Sequence, residues 1–144
     1  AFAAASLSDG SVGAALEGSS DGYVDAREAA AGLLDAVAAS DDPRRRLQGA
    51  KALAGAVRGS TERDALARRL HALSSILRDL GVLLSRADEQ MLANGDLRPL
   101  LERLRRSFDG DRALRAFSAV DRAQDALERN ASPKIVADWL ALQL

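Results

Sequence analysis

Along TERDALARRLHALSSILRDLGVLLSRAD, residues 61–88, an apolar residue returns at steps of four and three. Leu66, Leu70, Leu73, Leu77, Leu80, Leu84 and Ala87 fall on one stripe. That spacing predicts a helix over 61–87, about seven turns at 3.6 residues per turn and long enough to be the centre of a bundle. Thr61, with Asp64 three residues on, reads as the capping box that opens it. Nowhere does the chain alternate apolar and polar residues with the period of a strand.

The same periodicity predicts five further helices, at 25–39, 43–57, 97–108, 111–129 and 133–142. The first offers Ala26, Ala30, Leu33 and Val37 to a core, and the second Leu47, Ala50, Leu53 and Val57. After the long helix come Leu97, Leu100, Leu101, Leu104 and Phe108, then Leu114, Phe117, Val120 and Leu127. Pro43, Pro99 and Pro133 each stand at a helix start, behind Asp42, Asp96 and Ser132, which can accept the free N–H groups of a first turn. NGD at 94–96 and DGD at 109–111 read as tight turns. The expected fold is all-α, an antiparallel bundle of about five to six helices joined by short links.

Residues 1–22 behave differently, with two short helical patches split by Asp9-Gly10-Ser11 and a closing loop GSSDG at 18–22. A domain boundary is expected there, with 1–22 the tail of a preceding domain and 23–144 the bundle. The chain opens on Ala1 without a Met, which suggests a piece of a longer protein.

The 144 residues are 47% hydrophobic but only 3% aromatic, so the core must be built from Leu, Ala and Val. Net charge is −1, which gives no global attraction to nucleic acid or to an anionic membrane. Eighteen arginines stand against two lysines, Lys51 and Lys134. With so much alanine, the arginine excess reads as compositional bias rather than phosphate recognition. The absence of Cys removes disulfides, thiolate metal sites and a Cys nucleophile, and suits a cytoplasmic location. No signal peptide or membrane span is apparent.

Candidate chemistry is sparse. His71 is the one histidine, without a catalytic or metal-binding partner at helical spacing, and it reads as a helix-surface residue. Carboxylates are interspersed with arginines, the pattern of paired solvated faces. Arg44, Arg45 and Arg46 crowd a helix start, where the macrodipole disfavours cations. A solvated face is favoured there, with contact to phosphate or an acidic surface the alternative. Arg103, Arg105 and Arg106 read the same way. No catalytic residue, metal site or cofactor is expected.

The chain ends ERNASPKIVADWLALQL. Asn130 suits a left-handed position after a helix, Ser132 a cap, and Pro133 the first turn of the next helix. Together they make a corner that folds a short amphipathic helix back onto the bundle. Its apolar face, Ile135, Val136, Trp139 and Leu140, is broad: closing its own bundle is the favoured reading, with part of the face packed on a neighbouring subunit the alternative.

These motifs together resemble the clamp-loader subunits of bacterial DNA polymerase III, above all the delta-prime type. That family closes on Asn-x-Asn-x-x-Leu-x-Leu-Glu-x-Leu-Leu. Asn130 matches the first Asn, Ser132 replaces the second, Ile135 and Ala137 stand for two Leu, and Asp138 stands for Glu. Trp139 falls at a variable position. Leu77, Arg78 and Asp79 with Asn94 and Asp96 are similar to the family's Leu-Arg-Asp helix and Asn-x-Asp turn. LSDGSVGAALE resembles the last helix of the preceding ATPase-like lid domain. Gly13 and Ala14 fall where ATP-hydrolysing relatives carry a sensor arginine, and delta-prime subunits do not hydrolyse ATP.

The resemblance implies a collar domain from about residue 23. Such a domain assembles with gamma/tau and delta subunits into the complex that loads the sliding clamp on primed DNA. It implies assembly rather than catalysis, no small-molecule substrate, and DNA contact only through the whole complex. Subunit-interface candidates are Ile135, Trp139, Leu142, Arg78 and Asp79. A gamma/tau-type collar, or a helical adaptor for another protein, is the alternative reading.

Overall fold

A computed structural model describes residues 20–55 and 61–144. Of the described residues 84% are helical and none lies in a strand, which makes the fold all-α. Among the described residues six α-helices succeed one another: α1 (Ser20–Ala39), α2 (Pro43–Ala54), α3 (Glu62–Leu84), α4 (Arg98–Ser107), α5 (Gly110–Glu128) and α6 (Pro133–Gln143). Two 3-10 turns, Glu89–Met91 and Gly95–Leu97, fill the link between α3 and α4. The expected helices at 25–39 and 43–57 become 20–39 and 43–54, and Val57 lies outside the described residues. So does residues 1–19 of the expected preceding domain, including Gly13 and Ala14. Ser20, Asp21 and Gly22, expected in a boundary loop, belong to α1.

The long helix α3 is central, packed by α1 on one side, by α5 on another, and by α4 near its end. Leu66, Leu70, Leu73, Ile76, Leu77 and Leu80 are all buried on its inner face. It stops at Leu84 rather than 87 because Arg86 turns left-handed, with φ 56°. The N–H of Arg86 donates to the Leu83 carbonyl, and that of Ala87 to Val82, which closes the helix end in a Schellman motif. At the other end the Thr61 hydroxyl accepts from the Asp64 N–H at 3.1 Å, as the capping box requires.

Among the described residues two aromatic side chains are buried, Tyr23 and Phe108; the rest of the core there is leucine, alanine, valine and isoleucine. Alanine stripes let helices approach closely. On α5 the buried face is Ala113, Ala116, Val120, Ala123 and Leu127. Leu114, expected in the core, is 66% exposed on the flank of that helix. The competing alanine stripe wins because small side chains bring the α5 backbone nearer to α3. Between α1 and α2, Leu33 packs directly over Gly49: a Cβ there would meet Leu33 Cδ1 at 2.9 Å.

With so little aromatic bulk, guanidinium groups fasten the helices. Arg69 of α3 is 3% exposed. It donates to the Leu53 carbonyl at 2.7 Å and also to the Gly55 carbonyl, closing the end of α2. Its other nitrogens hold both carboxylate oxygens of Asp25 on α1, at 3.0 and 3.2 Å. Arg63 closes α5 by donating to the carbonyls of Leu127 and Ala131. Arg112 reaches three helix ends at once, through Val37 of α1 (3.2 Å), Ser107 of α4 (3.0 Å) and Leu144 after α6 (3.2 Å). Its guanidinium also stacks over the Phe108 ring, 4.1 Å from the centroid. Burial pushes the Arg112 side chain down from its usual pKa, and the neighbouring Arg46 adds to that. Each of these cations meets carbonyls at the negative end of a helix dipole.

Two substitutions test these assignments by thermal or urea unfolding. Arg69→Met keeps the bulk but leaves the Leu53 and Gly55 carbonyls unpaired, and should cost about 2–4 kcal/mol. That corresponds to a melting temperature lower by roughly 10 °C. Arg86→Gly relieves the left-handed backbone and should stabilise by about 0.5–1 kcal/mol, with no change in helix content.

Candidate functional site

The residues expected at a subunit interface divide into two kinds. Asp79 is 1% exposed, so its carboxylate has no surface to offer a partner. One oxygen accepts from the Ala93 N–H at 2.9 Å. The other accepts from the Asn94 N–H at 2.6 Å and from Asn94 Nδ2 at 2.9 Å. Asn94 Nδ2 also donates to Ser75 Oγ, so the turn after α3 is clamped onto that helix. Asp96, at the end of the same turn, holds Arg27 of α1 through two bonds of 2.8 Å. The Asn-x-Asp turn is thus an internal fastening between α3 and α1.

The corner at the end of α5 forms largely as expected. Asn130 has φ 66°. Its N–H donates to the Leu127 carbonyl and that of Ala131 to Ala126, a second Schellman motif. Pro133 occupies the first turn of α6. Ser132 takes the cap position through its backbone alone: its carbonyl accepts from the Val136 N–H, while its side chain makes no capping bond. Asp96 likewise does not cap the helix that Pro99 opens, since its carboxylate is committed to Arg27. Among the three prolines, the capping expected from the preceding side chain is made only at Asp42, which accepts from the Arg44 N–H at 3.0 Å.

Among the described residues two apolar surfaces stand out. The first is the outer stripe of α6, where Ile135, Trp139 and Leu142 follow at four and three residues. Ile135 is 67% and Leu142 45% exposed, while Trp139 is partly buried against the core. Val136, Ala137, Leu140 and Ala141 form the inner side and close the bundle. Trp139 therefore serves both faces.

The second is a groove of about 460 Å³ between the last turns of α3 and the first turns of α5. Leu77, Gly81 and Leu84 line one wall, and Ala113, Leu114 and Phe117 the other. Arg78 stands on its rim and is the one charged residue in the lining. A Cβ on Gly81 would meet nothing within 4 Å, so this wall is open at that point. Sequence reasoning placed Leu114 and Phe117 in the core and missed the groove. The signal was nonetheless present: α5 carries two apolar stripes, and a helix on the outside of a bundle buries only one.

The basic run at the start of α2 is split. Arg46 is drawn back to Asp41 at 2.9 Å and to the Ser40 carbonyl, while Arg44 and Arg45 are exposed. Arg103 binds Asp35 of α1 with both oxygens, and Arg105 lies 3.8 Å from Glu102. His71 is half-buried on α3. Among the described residues no three His, Cys, Asp or Glu side chains are grouped to hold a metal, and no helix is long and apolar enough to cross a membrane. In comparisons with known proteins, no family model, no curated protein and no solved structure matches the chain.

The Arg27 hydrogen bonds hold the Asp96 carboxyl below the usual carboxylate range, against the opposing effect of its partial burial. The folded chain therefore binds this proton less tightly than the unfolded chain. Above the ordinary Asp value of about 3.9 the pair contributes its full stability, and it loses that contribution as pH falls through the lowered value. Asp96→Asn should accordingly flatten the acid side of a stability–pH profile measured by urea unfolding between pH 2 and 6.

Proposed function

We propose that this bundle is an assembly module, the collar-type domain of a DNA polymerase III clamp-loader subunit of delta-prime or gamma/tau kind. The observation that carries the reading is how the polar and apolar groups are divided. Arg63, Arg69 and Arg112 spend their guanidiniums on helix ends within the bundle, whereas several large apolar side chains are left outside. Ile135, Leu142 and Leu114 are each 45% exposed or more. Apolar side chains left outward on an otherwise closed bundle suit permanent contact with other subunits.

The resemblance supports the reading from another side. Its motif residues Asp79, Asn94 and Asp96 fasten the turn between α3 and α4, and Asn130 and Pro133 set the corner before α6. They would preserve the shape of a collar rather than catalyse a reaction. In this reading the domain binds gamma/tau and delta collars, and reaches DNA only through the assembled ring. It contributes positioning, with no catalytic step of its own.

The groove alone would also suit a helical adaptor outside replication, and partner choice separates the two. Multi-angle light scattering on mixtures with the cognate gamma/tau or delta collar should show a complex, with affinity in the micromolar range or tighter. Separate monomers at concentrations on the order of tens of micromolar would rule the clamp-loader reading out.

A further inference from the structure

We infer that residues 85–97, the link between α3 and α4, form a strap that opens as one unit while the six helices stay packed. Its anchoring differs in kind from that of the helices it joins. Residues 85–91 are exposed throughout, and the strap buries one large apolar side chain, Leu92, with Leu97 partly covered. By contrast α4 buries Leu100, Leu101 and Leu104, and Arg103 ties it separately to Asp35 of α1. What holds the strap down is polar. Asp79 accepts three hydrogen bonds from Ala93 and Asn94, and Asp96 holds Arg27. An exposed pair joins Glu89 to Arg98 at 2.6 and 2.9 Å. Water largely replaces such bonds on opening, whereas buried apolar contact is lost outright. The strap is thus the segment that comes away at least cost.

Two features of the closed strap weigh against it. Arg86, near its start, is held at φ 56°, a left-handed backbone that strains a residue with a side chain. Arg27 Nε is buried without a hydrogen-bond partner, although the two terminal nitrogens of the same guanidinium hold Asp96. An unpaired buried donor is a cost that opening removes, because water then reaches it. Opening also uncovers Asp79, whose carboxylate is 1% exposed in the closed fold. That carboxylate reaches solvent, and anything in solvent, in the open state alone. The strap works in the isolated chain, whatever the bundle assembles with.

Native-state hydrogen exchange, followed by NMR over a series of low urea concentrations, tests the device. In the closed strap the N–H groups of Leu92, Ala93, Asn94 and Leu97 donate to Glu89, to Asp79 twice and to Asn94. They should exchange together, with protection at least about a hundredfold lower than that of Leu70 and Leu73 in α3 and with little dependence on urea. Asp79→Asn turns one acceptor into a donor and should lower the strap protection at least about tenfold further, with helix content unchanged. Strap amides that share the protection and the urea dependence of Leu70 and Leu73 overturn the inference, because the strap then opens only with the whole bundle. An Asp79→Asn chain that folds and keeps parent-like protection in the strap overturns it as well. If that variant does not fold, the urea dependence of the parent decides alone.

Discussion

The bundle depends on Arg69. A cation inside an apolar core is costly unless its donors are all directed to acceptors. Here the guanidinium is surrounded by the Asp25 carboxylate and by the carbonyls that end α2. It joins three helices at one point, and it does so where no aromatic side chain is available to fill the space. Arg63 and Arg112 repeat the solution elsewhere. The planar fork suits the task, because one side chain can serve several carbonyls at fixed angles.

This arrangement gives the arginine excess a structural meaning that composition concealed. Read as bias, eighteen arginines say little. Seen in the fold, several of them replace the capping side chains and the aromatic bulk that the sequence lacks. Others among the described residues stand on the surface, Arg98 and Arg103 for example, in ion pairs that count for little individually. Lysine would not substitute well at the buried positions, since its single ammonium cannot bridge a carboxylate and two carbonyls in one plane.

The helical pattern was legible in the sequence because it depends on period, and period survives tertiary packing. The leucines of α3 and the Asn130–Pro133 corner follow from local rules, and both are found where those rules put them. What escaped is the choice between competing apolar stripes. On α5 the larger side chains, Leu114 and Phe117, looked like the core, yet the alanines are buried. That choice is made by the distance at which α3 and α5 pack, which no single helix encodes. Arg69 was visible in principle: it interrupts the Leu66–Leu70–Leu73 stripe on its buried side, an unusual place for a charge. Asp79 and Asp96 needed partners from segments distant along the chain, and only the fold supplies those.

The three-way hold of Arg112 has a consequence for the order in which the molecule is made. Val37, Ser107 and Leu144 lie far apart along the chain, yet their carbonyls meet one guanidinium. While the chain is being synthesised, the end of α1 stays unclosed until Arg112 emerges, 75 residues after Val37. The α2 surface that α6 covers waits longer, until residues 133–143 follow. Until α6 arrives, an apolar strip of α2 stays open to chaperones or to premature association.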